Sequence, residues 1–304
     1  MLARRLLALL ALALLVLTLL FPLPVARGVT AALSRCLTVL IPALFPTLVL
    51  TAFLTEMLAS TSPGRRGWLC RLLGVGRAGA SIWLLSLLAG FPHAARLCSA
   101  AVKRGEMRGE EADAVTAFSS LPGPAFLIGG IGAGMLHSAR IGLWLYGIQA
   151  ISSLLTALAL RAVLPLPPEA SPPADASVLP SPSPLRVLGN ALRAGGEAML
   201  SICASVTFFS VLISLAASLL PPAALLPIGM LTEISAGCGL SVSLLPPAML
   251  LPLLSLICAW SGLSVHAQIA LMANGSFPLR RYAVGKLLQS LLALALGVAV
   301  QNFL

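Results

Sequence analysis

The chain has 304 residues, 59% of them hydrophobic and 9% charged, with a mean hydropathy of +1.01. An ordinary soluble domain carries about 25% charged residues, so this composition excludes one and reads as an integral membrane protein. The net charge of +10 does not imply a nucleic-acid partner, because the basic residues stand at the ends of apolar runs, where the positive-inside tendency puts them.

Arg4 and Arg5 precede an apolar run from Leu6 to Phe21, closed by Pro22 and Pro24. Its length suits a retained first helix with a cytoplasmic N-terminus (residues 1–27) better than a cleaved signal peptide. The segment Leu33 to Met57 carries Pro42 and Pro46 one turn apart, which predicts a kink of structural or gating use. Arg65, Arg66, Arg71 and Arg77 around Trp68 mark a cytoplasmic loop with a short interfacial helix.

Ser81 to Lys103 is apolar except for Gly90, Phe91, Pro92, His93 and Arg96 in its middle. Hydrocarbon rejects such a break unless protein surrounds it, so the segment predicts a re-entrant hairpin that turns near Gly90 to His93. The charged stretch from Lys103 to Asp113 reads as a loop in water. Ser119 and Ser120, before Pro122-Gly123-Pro124, predict a second broken helix, and Gly129 to Gly134 a helix-packing face. Ile141 to Leu164 reads as a plain span.

Residues 165–188 form a Pro/Ser-rich linker between two repeats, 28–164 and 189–304. In the second repeat Glu233, in Thr232-Glu233-Ile234-Ser235, is an acid in apolar surroundings: a functional residue by default, with an interfacial carboxylate as the alternative. LLSLICAWSGLSVH, from Leu253, echoes LLSLLAGFPHAARL, from Leu84. This pairing predicts a second re-entrant hairpin turning at Trp260 to Ser264, with His266 and Gln268 on its returning arm. Asn274 to Lys286 reads as a polar loop with Arg280 and Arg281, running into a last helix from Tyr282 to Val300. Paired interrupted segments in two halves are the sequence mark of a transporter site. The expected fold is thus an all-α polytopic membrane protein, an inverted-repeat transporter-like bundle with two re-entrant helical hairpins.

Cys36, Cys70, Cys98, Cys203, Cys238 and Cys258 are scattered singly, and three histidines make no metal-ligand pattern. No G-x-S-x-G elbow, phosphate loop or zinc helix occurs, so the sequence points away from an enzyme and from a metal.

IPALFP in the early helix, SLLAGFPHAAR in the first interruption, TEISAG before the second and WSGLSVHAQ within it resemble the YlbJ-like sporulation integral membrane proteins, which carry the nucleoside-recognition Gate domain. The resemblance covers about Gly28 to Leu304. It implies a plan similar to concentrative nucleoside transporters and export of dipicolinic acid from the mother cell. The implied location is the bacterial cytoplasmic membrane or the outer forespore membrane. The residues expected at the substrate are Gly90, Phe91, Pro92, His93, Ser119, Ser120, Trp260, Ser261, Gly262, Ser264 and His266. Glu233 and Ser235 are expected to couple H+ or Na+, with no other cofactor. A nucleoside-like cargo and a non-transporting scaffold of the spore envelope are the alternatives, and a homo-oligomer is left open.

Overall fold

The computed structural model describes residues 2–58, 67–163 and 183–301. Arg65, Arg66 and residues 165–182 of the expected linker lie outside the described residues, and its remainder from Pro184 belongs to a helix. Every element is a helix, and no strand occurs among the described residues. The first half contains α1 (Leu2–Leu20), α2 (Pro22–Arg35), α3 (Ile41–Leu58), α4 (Trp68–Leu73), α5 (Arg77–Ala89), α6 (His93–Lys103), α7 (Gly109–Ser119) and α8 (Ala139–Val163). The second contains α9 (Pro184–Leu219), α10 (Pro222–Thr232), α11 (Ile234–Leu244), α12 (Pro247–Trp260), α13 (Gly262–Ala273) and α14 (Arg280–Gln301). Five stretches are long and apolar enough to cross a membrane: Pro22–Leu40, Ala139–Val163, Pro184–Leu219, Pro247–Ala273 and Arg280–Gln301.

Proline starts helices here more often than it ends them. Pro22, Pro184, Pro222 and Pro247 stand in the first turns of α2, α9, α10 and α12, where the missing N–H costs nothing. The boundary expected between Arg27 and Gly28 therefore falls inside α2. A π-helical stretch, Cys36–Leu40, joins α2 to α3, and the Ile41 N–H reaches back to the Cys36 carbonyl. That wider turn lies just ahead of Pro42, whose ring would crowd the preceding turn of a regular helix.

The last helix, α14, is apolar outside and carries polar residues inside. On α14, Val284, Leu287, Leu291 and Val298 are exposed, while Tyr282, Lys286, Gln289 and Ser290 are buried. Both sets recur at helical spacing, so one face suits lipid and the other faces the protein. α14 packs on α12, α8 and α7, and α9 packs on α2 and α3. Between Pro124 and α8 runs a second π-helical stretch, Ala125–Met135, which lies against α8. Gly132 and Gly142 make that contact close: a Cβ on Gly132 would stand 2.7 Å from the Gly142 Cα.

Two pairs of half-helices fold back on one another. α5 packs on α6 across Gly90–Pro92, and α10 packs on α11 about Glu233. Gly229 and Gly237, four residues to either side of Glu233, let the second pair close up, since a Cβ on Gly237 would stand 2.9 Å from the Met230 Cα. Trp260 to Ser264 is built differently from the expected hairpin. α12 packs chiefly on α14, α11 and α8, whereas α13 packs chiefly on α6, α9 and α10, so the arms rest mainly on other helices and share α10 and α11.

Close packing at Gly142 makes a testable contrast with Gly147 on the same helix, where a Cβ would meet nothing within 4 Å. Gly142→Ala should destabilise the purified protein by about 1–3 kcal/mol through overpacking. Gly147→Ala should be neutral or slightly stabilising. Thermal unfolding in detergent measures both.

Candidate functional site

Each hairpin tip is seated on a break in another helix. Gly90 has φ +74°, and a Cβ there would lie 2.4 Å from the Gly123 nitrogen. Only glycine meets both conditions. The neighbouring Phe91 N–H donates to the Leu121 carbonyl at 2.9 Å. The α5–α6 tip thus docks on the Ser120–Pro124 break after α7. In the second half Ser261 and Gly262 have φ of +74° and +79°, and a Cβ on Gly262 would lie 3.0 Å from the backbone of Thr232 and Glu233. The α10–α11 tip docks on the break between α12 and α13 in the same manner.

Glu233 is 1% exposed, which an acid tolerates only with full hydrogen bonding. Its Oε1 accepts the Ser235 N–H at 3.0 Å; its Oε2 accepts the Ala236 N–H at 2.8 Å and the Ser235 hydroxyl at 2.5 Å. The carboxylate is therefore the N-cap of α11, where the positive end of the helix stabilises it. An incoming anion would find this helix start taken.

Glu233 also borders a small recess of about 30 Å3 that all four segments share. Phe91 comes from the first tip, Pro122 and Gly123 from the first break, Glu233 and Ser235 from the second tip, and Ser264 and Gln268 from α13. Leu44, Phe126 and Ile202 supply apolar wall. The Ser264 hydroxyl and the Gln268 side-chain oxygen have no hydrogen-bond partner in the protein.

Of the expected substrate residues, Phe91 and Ser264 line the recess, together with the expected coupling residues Glu233 and Ser235. Gly90 and Gly262 shape the docking behind it. Pro92, His93, Ser119 and Ser120 are buried away from it; neither ring nitrogen of His93 and neither serine hydroxyl has a partner. Trp260, Ser261 and His266 also lie off the recess. Trp260 donates to the Leu231 carbonyl at 3.3 Å, its ring 4.5 Å from that of His266, and His266 Nδ1 is 2.5 Å from the Tyr282 hydroxyl. The Ser261 hydroxyl turns back to the Cys258 carbonyl at 3.0 Å.

Three charged residues from stretches expected in water are interior: Glu111, Asp113 and Lys286. Asp113, 1% exposed, accepts the N–H groups of Arg281 and Tyr282 at 2.9 and 2.8 Å and so caps the start of α14. Glu111 accepts the Gly76 N–H at 2.6 Å, at the start of α5. Lys286, expected in the loop before the last helix, lies in α14 with 0% exposure. It donates to the Ser120 carbonyl at 2.6 Å and to Gln289 Oε1 at 3.1 Å. The signal for it was the i, i+3, i+4 recurrence of Lys286, Gln289 and Ser290, which marks one inward face.

None of the known family models matches the chain, and no curated protein and no solved structure does. The class of molecule is thus set by its own architecture: an all-helical chain with five helices long and apolar enough to span a membrane.

Removing the cap tests the reading of Glu233. Glu233→Ala should cost roughly 1–2 kcal/mol, in line with other N-cap losses, and Glu233→Gln less, because one acceptor oxygen remains. Equilibrium unfolding of the two variants beside the unsubstituted protein gives the order.

Proposed function

We propose that this chain is a membrane transporter for a small, largely apolar solute that carries N–H or O–H donors, bound between the two hairpin tips. The observation that carries this reading is the recess: it gathers Glu233, the unpartnered Ser264 hydroxyl and the unpartnered Gln268 side-chain oxygen against Phe91 and Phe126. An apolar wall with a few convergent polar groups is the general form of a small-molecule site; at about 30 Å3 the recess has to widen, by parting of the tips, to admit a solute. A nucleoside-like solute fits this chemistry. A dicarboxylate such as dipicolinate would bring two further negative charges beside Glu233, and no lysine or arginine lines the recess.

The same reading takes the chain as an inverted repeat whose hairpins re-enter the membrane from opposite faces. Its support is the recurring order of elements: α5–α6, broken α7, α8 in one half, and α10–α11, broken α12, α14 in the other. In this register Gly90–Pro92 corresponds to Glu233, and Ser120–Pro124 to Ser261–Gly262. Tips that seat on breaks at a shared midplane suit alternating access. Coupling to H+ or Na+ through Glu233 and Ser235 would have to open the α11 cap, linking ion binding to movement of that tip. Glu233→Gln should then alter the pH or Na+ dependence of flux; unchanged dependence removes the coupling role.

Counterflow in proteoliposomes of the purified full chain, with radiolabelled uridine and dipicolinate as probes, tests the proposal. Saturable uridine flux is expected. Gln268→Leu should reduce it about tenfold or more, given ~1–3 kcal/mol for an unmade hydrogen bond, without lowering thermal stability. Dipicolinate flux alone would transfer the cargo to the anion. Absence of flux for both probes in a folded preparation would favour a scaffold. Gly90→Leu does not separate transporter from scaffold, because the Gly123 backbone forbids the side chain in either case.

A further inference from the structure

A lysine closed off from solvent inside a chain of this kind has to be neutral or matched by something that prefers a cation. Lys286 has no carboxylate partner among the described residues. Both of its hydrogen bonds go to neutral oxygens, the Ser120 carbonyl and Gln289 Oε1. Ser120 is the C-cap of α7, an eleven-residue helix, and its carbonyl stands at the negative end of that helix, just before the Leu121–Pro124 break. Pro122 and Pro124 bring no N–H with which to satisfy freed carbonyls. Unwound carbonyls at the C-terminal end of a half-helix are where membrane transport proteins hold a free monovalent cation. Here the side chain of α14 reaches in and takes that place.

We propose that the Lys286 ammonium is a tethered cation, occupying a monovalent-cation site formed by the Ser120 carbonyl at the end of α7 and the Gln289 side-chain oxygen. It fastens α14 to the first break, on which the α5–α6 tip is seated through Phe91 and Leu121. The site is distinct from the recess, which Lys286 does not line, and the inference holds whatever the cargo is. Its consequence is that the first break needs no dissolved cation for closure, and that cutting the side chain back exposes a site able to take one.

The test is thermal unfolding of the full-length protein in detergent, in N-methylglucamine, sodium and n-propylammonium chlorides. Lys286→Ala should unfold at lower temperature in N-methylglucamine and regain at least half of the loss, saturably, with sodium or propylammonium. The unsubstituted protein should not distinguish the salts in this way. A Lys286→Ala protein that responds to neither small cation, or a Lys286→Met protein as stable as the original, overturns the proposal. Should Lys286→Ala not fold, Gln289 decides. Beside an ammonium, Gln289→Glu adds an ion pair and should be more stable than Gln289→Leu; beside a neutral amine it adds a second buried misfit. Gln289→Glu less stable than Gln289→Leu therefore also overturns it.

Discussion

Helices that stop within an apolar interior leave amide and carbonyl groups with no water to receive them, and each such group left unmatched costs several kcal/mol. This chain stops helices at Gly90, Ser120, Glu233 and Ser261, and the placement of its buried charges follows from that burden. Glu111, Asp113 and Glu233 accept N–H groups at the starts of α5, α14 and α11. Lys286 donates to the carbonyl at the end of α7. Acids at helix starts and a cation at a helix end are the arrangement the peptide dipoles favour. Charge is therefore used here chiefly to finish backbone that the fold has cut.

The same economy shapes the recess. Glycines at the tips let one broken segment sit directly on another, as Gly90 does on Gly123 and Gly262 on Thr232 and Glu233. Close docking consumes most of the exposed backbone, and what remains unmatched stands out. The Ser264 hydroxyl, which can donate or accept, and the Gln268 oxygen, an acceptor, are without partners beside an acid that is already satisfied. A solute that supplies donors completes both; a carboxylate could accept the Ser264 hydroxyl but would leave the Gln268 oxygen unmatched. This asymmetry moves the proposed cargo away from an anion, even though a helix N-terminus faces the recess, because Glu233 already fills it.

Burial of polar groups on inward helix faces also accounts for the charged residues that a linear reading leaves in water. Lys103 to Asp113 looks like a solvated loop because its charges are dense, yet α7 begins at Gly109 and turns Glu111 and Asp113 toward helix starts far away in sequence. Lys286 looks like the end of a basic loop after Arg280 and Arg281, yet it lies two turns into α14, on the face opposite Leu287 and Leu291. In both cases the partner is a backbone group more than thirty residues away, which local pattern does not encode.

From the residues alone came the membrane class, the helical content, the break at Gly90 to His93, the Ser120 to Pro124 interruption and the oddity of Glu233. These are legible because hydropathy, proline and glycine act locally on the chain. The sequence echo of the two halves put the second hairpin at Trp260 to Ser264, since Leu-rich stretches resemble one another without sharing a fold. In the structure α10 packs on α11 about Glu233, while Ser261 falls at the junction of α12 and α13. Which polar atoms find partners, and so which are left for a solute or a cation, depends largely on contacts between segments from about thirty to more than a hundred residues apart. Only the tertiary structure could assign those, because hydrogen-bond satisfaction is a property of the assembled interior and not of any one stretch.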